Sequence, residues 1–282
     1  MGLTGTGVAA ITGGGSGLGA AMAHAFAARG LAVAVLDIDE PAAAATAAAV
    51  AGEHGVATTS RRVDVGDAAS VAAAADHVRG ALGGCTVLCS NVGVQQFGAI
   101  DQLTEQDWAW LLDVNVMGMV RTVREFLPLL RAGGGWRRIV LTSSSSALAP
   151  SVRLGGYQTT KYAVMGFGET LRRELSPEGI GVTVLFPGGM ITRHLESSAL
   201  ARPAELGASA LDPADLEAMM ADQPMDAGDV VTPEHAIRNL LADLDADVPF
   251  SFTHGSHRPA YERRHAEIEA AFDRMDRTSR PR

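Results

Sequence analysis

Cysteine is scarce in this chain, two among 282 residues, and Cys85 and Cys89 stand in a C-x3-C spacing. That spacing matches neither the C-x-x-C of thioredoxin-like centres nor a zinc knuckle, so reduced, structural thiols are expected, as in a cytoplasmic protein. Basic residues are outnumbered, 23 Lys and Arg against 32 Asp and Glu, for a formal net charge of −9. A basic footprint for nucleic acid or for an anionic membrane surface is therefore missing. Charge interrupts every apolar run before the ~18 residues of a membrane span, and no basic segment precedes the first one, so neither export nor membrane insertion is expected. The eight histidines are scattered, and His254 with His257 make no metal site on their own, so no metal is expected.

Short apolar runs are plentiful. Residues 8–11, 31–36, 87–89, 139–141 and 182–186 are nearly continuous in Val, Ile, Leu and Ala, the pattern of strands buried on both faces. Between them lie helix-like segments at 41–54, 67–82, 104–130 and 157–175. Strand and helix alternate, which predicts an α/β fold with a doubly wound parallel sheet. Boundary residues agree: Pro41 follows two acids, 104–107 resembles a capping box, and the glycines at 133–135 stop a helix. With 47% apolar residues and no linker, one domain over residues 1–282 is expected.

Past Pro187 and Gly188 the pattern loosens. Residues 190–225 mix Leu, Met, Pro and Ala without a strand, and a long excursion in a compact domain is usually a lid or binding loop. Met190, Leu195, Leu200, Leu206, Met219, Met220 and Met225 suggest an apolar, adaptable pocket, although about half would serve the lid's own core. A further helix is expected near 233–244 and a strand near 249–253. A helical tail follows at about 258–282, in which Ile268, Phe272 and Met275 are spaced to dock on the body or on a neighbouring subunit.

The glycine run from Thr12 to Gly19 follows the first strand and opens a helix. Its backbone can approach a pyrophosphate closely and present N–H groups with the positive end of the helix dipole. Gly13, Gly17 and Gly19 are the close-approach positions, with Ser16 and Leu18 between them. Asp37 ends the second strand about 20 residues on, where an acid accepts both hydroxyls of an adenosine ribose. A 2′-phosphate would meet a like charge there, and neither Ser16 nor Ile38 supplies a basic partner. The expected cofactor is therefore NAD rather than NADP. A strand-end Asp that merely caps a helix is the structural alternative for Asp37.

Thr12-Gly13-x-x-x-Gly17-x-Gly19, Ser90-Asn91-Val92-Gly93, Asn115, Ser144, Tyr157-x-x-x-Lys161 and Pro187-Gly188, in that order, resemble the short-chain dehydrogenase/reductase family. The resemblance runs from about residue 8 to 192. It implies a single Rossmann-type domain with about seven parallel strands, usually a homotetramer or homodimer, acting on a small-molecule substrate. The chain departs from the family's usual Asn and Ala at Ser90 and Val92, and its glycine-rich ending is replaced here by 250–257 and the tail.

Tyr157 and Lys161 lie one helical turn apart and share a face. A lysine ammonium beside a phenol favours the phenolate, as does the positive charge of an oxidised nicotinamide, so Tyr157 is expected to exchange a proton with a substrate hydroxyl. Ser144 follows the strand at 139–141, at the carboxyl end of the sheet. The family spacing to the tyrosine selects it from the run 143–146, with Ser143 as fallback, and its hydroxyl would polarise the substrate oxygen. A nucleophilic role, as in a serine hydrolase, lacks the G-x-S-x-G elbow and a partnered histidine. A non-catalytic NAD-sensing module normally lacks the tyrosine or lysine, and both are intact.

By resemblance, Lys161 also holds the nicotinamide ribose, and Asn115 kinks a helix and holds a relay water. Asp64 and Val65 meet adenine, Asn91 and Gly93 pass beside the adenosine ribose, and Pro187, Gly188 and Thr192 line the nicotinamide end. Substrate contacts are expected from Val94, Gln96, Leu154, Met190 and Leu195. The reaction implied is alcohol oxidation or ketone reduction. Residues 86–97 and 193–206 are similar to bacterial members that oxidise benzylic alcohols in lignin-derived aryl ethers, while hydroxysteroids and 3-hydroxyacyl compounds fit the same pattern.

Overall fold

The computed structural model describes residues 7–207, 212–222 and 229–279. Its strands are β1 (Val8–Thr12), β2 (Ala32–Asp37), β3 (Thr58–Arg62), β4 (Val87–Ser90), β5 (Arg137–Thr142), β6 (Ile180–Phe186), β7 (Gly189–Met190), β8 (Val230–Val231) and β9 (Phe250–Phe252). Seven of them form one parallel sheet in the order β3-β2-β1-β4-β5-β6-β9. The order reverses between β1 and β4, and in open α/β sheets the crevice at the carboxyl ends of such strands is where ligands bind.

The helices of the main body are α1 (Gly17–Ala28), α2 (Glu40–His54), α3 (Ala68–Leu82), α4 (Glu105–Leu112), α5 (Gly118–Ala132) and α6 (Gly155–Leu175). Alternate residues of each central strand face opposite sides. Ala10, Leu36, Leu88 and Ile139 pack under α3, α5 and α6, while Ile11, Val35, Cys89 and Val140 pack under α1 and α2. Both cysteines are buried and unpaired, and the Cys85 thiol donates to the Val87 carbonyl.

Three expectations need correction. The sequence Thr58–Arg62 has no apolar residue and gave no strand signal, yet it forms β3 by pairing with β2 at the edge of the sheet. Edge strands draw their order from a neighbour's ladder and keep polar side chains in solvent. The stretch after Gly188 opens with β7, which pairs with β8 through Gly189 with Val230 and Met190 with Val231, a ladder too short for any periodicity. The helix expected at 233–244 is two helices, α9 (Pro233–Ala236) and α10 (Leu240–Asp245), because the Ile237 turn ends the first.

The excursion after β7 carries α7 (His194–Ala201) and α8 (Pro213–Asp222), and the chain's last helix is α11 (Arg258–Ser279). Arg264 of α11 stacks over Tyr162 of α6 at 5.2 Å. Ile268 and Phe272 nevertheless stay 41% and 66% exposed, so the apolar stripe of α11 does not dock on its own body. Among the described residues, no helix is long and apolar enough to cross a membrane.

Candidate active site

At the switch point the glycine turn bends sharply away from β1. Gly13 and Gly17 adopt φ of +65° and +49°, which side chains resist, and a Cβ on Gly19 would run into the Gly13 carbonyl. A cradle is left at the N-terminus of α1, where a phosphate can meet backbone donors. Asp37 braces it, one carboxylate oxygen accepting from the Gly15 amide at 2.8 Å and the other from the Asp39 amide at 3.1 Å. Capping of α2 falls to Asp39, which accepts from the Ala42 amide. The capping alternative for Asp37 therefore has no helix to serve.

Below the cradle, Asn91 binds β1 to β5, its side chain donating to the Gly13 carbonyl and accepting from the Thr142 hydroxyl. Asp64 caps the next turn by accepting from the Gly66 amide at 2.9 Å. Ser16, Leu18, Ile38, Val65, Gly93, Pro187, Gly188 and Thr192 join these residues around one cavity of about 850 Å³. Thr192 reaches the glycine turn itself, its methyl 3.2 Å from where a Gly17 Cβ would stand.

Ser144, Tyr157 and Lys161 line the same cavity. A side-chain hydrogen bond joins Ser144 to Tyr157, and the Lys161 ammonium lies 5.5 Å from the centre of the Tyr157 ring. Ser143 is committed elsewhere, donating to the Lys161 carbonyl at 2.8 Å and fixing α6 against β5. Lys161 Nζ donates to the Thr142 carbonyl at 3.0 Å, and Gly93 is small enough to admit it, since a Cβ there would lie 2.9 Å from Nζ.

Burial pushes the Tyr157 phenol up to about 12, against a smaller downward pull from Ser144, and pushes Lys161 down to about 8. The lowering expected from the lysine does not set the Tyr157 value in the chain alone, where burial comes first and Ser144 supplies the downward pull. Removal from water disfavours whichever form carries charge, and both groups are almost fully enclosed.

Asn115 sits in a π-helical turn, Asp113–Met117, between α4 and α5. Its amide oxygen accepts from the Val94 amide, while its nitrogen donates to the Val94 carbonyl and to the Thr160 hydroxyl. It ties the loop after β4 to α6 just beyond Tyr157. The cavity walls include Val94, Leu154, Met190 and Leu195. Gln96 is not among the lining residues: it donates to the Phe97 carbonyl and accepts from Arg202, leaving Gln95 and Phe97 at the wall. Of the lid's apolar residues, Met219 packs with Phe97, Leu154 and Tyr157, and Leu206 with Val94 and Trp110. Leu200 and Met220 face solvent, and Met225 lies outside the described residues.

Two features carried no sequence signal. His194 opens α7 beside Tyr157, ring centres 6.3 Å apart, and its buried Nε2 has no hydrogen-bond partner among the described residues. Burial, with a smaller push from Lys161, lowers it to about 4. Arg202 ends the same helix and donates to Asp107 at 2.5 Å while lying over the Trp110 ring. Burial works against the Asp107 charge, but hydrogen bonds from Thr104 and Arg202 prevail and hold the carboxyl below its ordinary value. The segment expected to form a lid is thereby latched to α4.

Comparison with known proteins agrees with this geometry. C alpha-dehydrogenase of Sphingobium sp. is 36% identical over 164 residues, 57% of this chain and 53% of that protein. The 3-alpha-(or 20-beta)-hydroxysteroid dehydrogenase of Mycobacterium tuberculosis is 37% identical over 141 residues, 50% of this chain and 54% of that one. The chain therefore spans about half the length of these curated relatives. A short chain dehydrogenase/reductase from Burkholderia phymatum, solved in complex with NAD, superposes with a TM-score of 0.86 at 29% identity, covering 96% of this chain and 97% of that one. A family model described as short chain dehydrogenase matches residues 7–202, from the first strand to the lid latch rather than the glycine turn alone, and the chain belongs to that family.

Proposed function

We propose that this oxidoreductase interconverts a secondary alcohol and a ketone with NAD, on an apolar or aromatic substrate. The observation that carries the reading is one cavity in which a buried tyrosine, bonded to Ser144 and flanked by the Lys161 ammonium, shares space with the glycine cradle and Asp37. Bound NAD would supply the acceptor or donor of the hydride.

The chain's residues supply the rest. The turn at Gly13, Gly17 and Gly19 would hold the pyrophosphate, and the remaining lone pairs of Asp37 would take the adenosine ribose hydroxyls. Lys161 is positioned to hold the other ribose. Ser144 donates to the substrate oxygen and fixes it beside Tyr157. During oxidation the carbinol proton passes to the Tyr157 oxygen; during reduction Tyr157 returns it to the carbonyl oxygen. Lys161 offsets the charge on a phenolate that burial otherwise disfavours.

Phe97, Leu154 and Met219 beside Tyr157 favour an apolar substrate, and the names of the two relatives, a C alpha-dehydrogenase and a hydroxysteroid dehydrogenase, point the same way. A hydrolase reading finds no support, because His194 Nε2 makes no hydrogen bond to Ser144. A cytoplasmic homo-oligomer belongs to the same reading, and light scattering tests the assembly.

The decisive assay follows NADH formation over a panel of secondary alcohols. Tyr157→Phe should lower kcat by ~10² or more, and Asp37→Ala should narrow the preference for NAD over NADP. Full activity in the first variant, or equal use of NADP by the unaltered enzyme, overturns the reading.

A further inference from the structure

Away from the cavity, α1 and α2 bring His24, Glu53 and His54 together on their outer faces. No sequence spacing links them, since 30 positions separate the two histidines. Three potential donor atoms converge there: His24 Nδ1 lies 3.2 Å from His54 Nε2 and 3.0 Å from a Glu53 oxygen, and His54 Nε2 lies 3.7 Å from the other Glu53 oxygen. The two imidazoles are 16% and 34% exposed, His54 the less, and Glu53 faces water at 63%.

Hydrogen counting makes this cluster unusual. If His24 Nδ1 carries a proton, that one proton must serve both Glu53 and His54. If His54 Nε2 carries it instead, His24 becomes the acceptor and turns a lone pair toward the carboxylate at 3.0 Å. With both nitrogens protonated, two N–H groups oppose each other across 3.2 Å. No placement of protons gives all three contacts a hydrogen bond of their own.

A single cation at the centre satisfies all three at once. Tetrahedral zinc with bonds of roughly 2.0–2.2 Å separates neighbouring ligand atoms by roughly 3.3–3.5 Å. His24 Nδ1 stands 3.2 Å from His54 Nε2 and 3.0 Å from one Glu53 oxygen, both close to that edge, and the carboxylate's other oxygen stands 3.7 Å from His54 Nε2, so a small rotation of the exposed Glu53 brings one oxygen to both nitrogens. We propose that His24, Glu53 and His54 form a binding site for a zinc-type divalent cation, with water in the fourth position. Two imidazoles and a carboxylate suit zinc and its borderline neighbours rather than magnesium or calcium.

The consequence is structural. The site staples the last turn of α2, where Gly55 caps the helix in a left-handed conformation, to α1. These are the two helices whose opposite ends meet the glycine turn and the segment after Asp37. Binding the folded chain alone, the ion stabilises it by mass action.

The test uses the full chain stripped of metal and titrated with Zn²⁺, then with Co²⁺ for its visible absorption. One ion per chain is expected, with a rise in Tm. His24→Gln and His54→Gln should each raise Kd by more than about tenfold, the least that even an outer-shell change costs, and remove the Tm rise. His24→Cys, which keeps a zinc ligand, should retain binding, and so should His265→Gln on α11. Absence of stoichiometric binding, or binding unchanged in both glutamine variants, overturns the proposal.

Discussion

Replacing Asp107 by asparagine removes the charge that latches the lid. Asp107 does two things: one carboxylate oxygen completes a capping box with Thr104, accepting from its amide at 2.9 Å and its hydroxyl at 2.7 Å, and the other accepts from Arg202. Both partners are under a tenth exposed, 8% for Arg202 and 9% for Asp107. Stranding one member of such a buried pair costs about 3–5 kcal/mol if the other stays buried. Arg202 has an escape, because its helix can lift and return the guanidinium to water.

Lifting α7 costs what else holds it: the Gln95 amide donating to Ser198 at 3.0 Å, and Ala201 and Leu206 against Trp110. One hydrogen bond of about 1 kcal/mol and one leucine of roughly 1.5–3 kcal/mol total about 2.5–4 kcal/mol, centred below the ~3–5 kcal/mol of the stranded charge. The lid should therefore open rather than the whole fold bear the penalty. The expected result for Asp107→Asn is a KM for the alcohol raised by ~10- to 100-fold, about 1.4–2.7 kcal/mol, with a smaller fall in kcat. Global stability in urea should drop by less than ~3 kcal/mol. The double variant Asp107→Leu with Arg202→Met replaces the pair by apolar bulk and should recover most of the KM. A loss of 3–5 kcal/mol in urea with KM unchanged, or a double variant no better than the single, refutes the latch.

Other consequences follow from the site's burial. Lys161 sits at about 8 instead of 10.5, so the unfolded chain binds the extra proton between those values, and stability contributed by this group rises with pH across the window. In urea unfolding, the difference between the unaltered chain and Lys161→Met should shift in favour of the former from pH 8 to pH 10; a constant difference contradicts the burial argument. His194, lowered from 6.5 to about 4, contributes stability present above pH 6.5 and lost as pH falls toward 4, and His194→Phe should flatten that acid limb in the same measurement. Gly93→Ala pushes a methyl to 2.9 Å from Lys161 Nζ and should lower kcat toward the ~100-fold that an ångström's misplacement costs, with no matching loss in thermal stability.

The buried strands were legible because each is a continuous apolar run, and the proposed catalytic pair because a turn of helix puts Tyr157 and Lys161 on one face. Thr58–Arg62 was not legible: an edge strand is specified by its neighbour, and its own side chains carry no period. Gln96 falls outside the cavity lining because strand-end loops have no face, and partners such as Arg202, far along the chain, help decide where that amide turns. His194 and the Asp107 to Arg202 latch escaped for the same reason. Each depends on where a loosely patterned segment lands, and that is set by tertiary contact rather than by local spacing.

That division follows the physics of the site. The cradle and the Tyr157 helix act through backbone geometry, which glycine and helical spacing write into the sequence. The protonation states act through enclosure: Tyr157, Lys161 and His194 are each displaced toward the neutral form, and burial is the first cause in all three. Part of that enclosure comes from lid residues such as Met219 and from α7, whose hold on the body includes the Arg202 to Asp107 pair. Opening the lid admits water, relaxes all three groups toward their ordinary values and weakens the charge of Lys161 as felt by Tyr157. Under the proposed mechanism, substrate entry and proton affinity are therefore coupled through the Asp107 to Arg202 pair: the latch that would shape the pocket would also set the medium in which its tyrosine works.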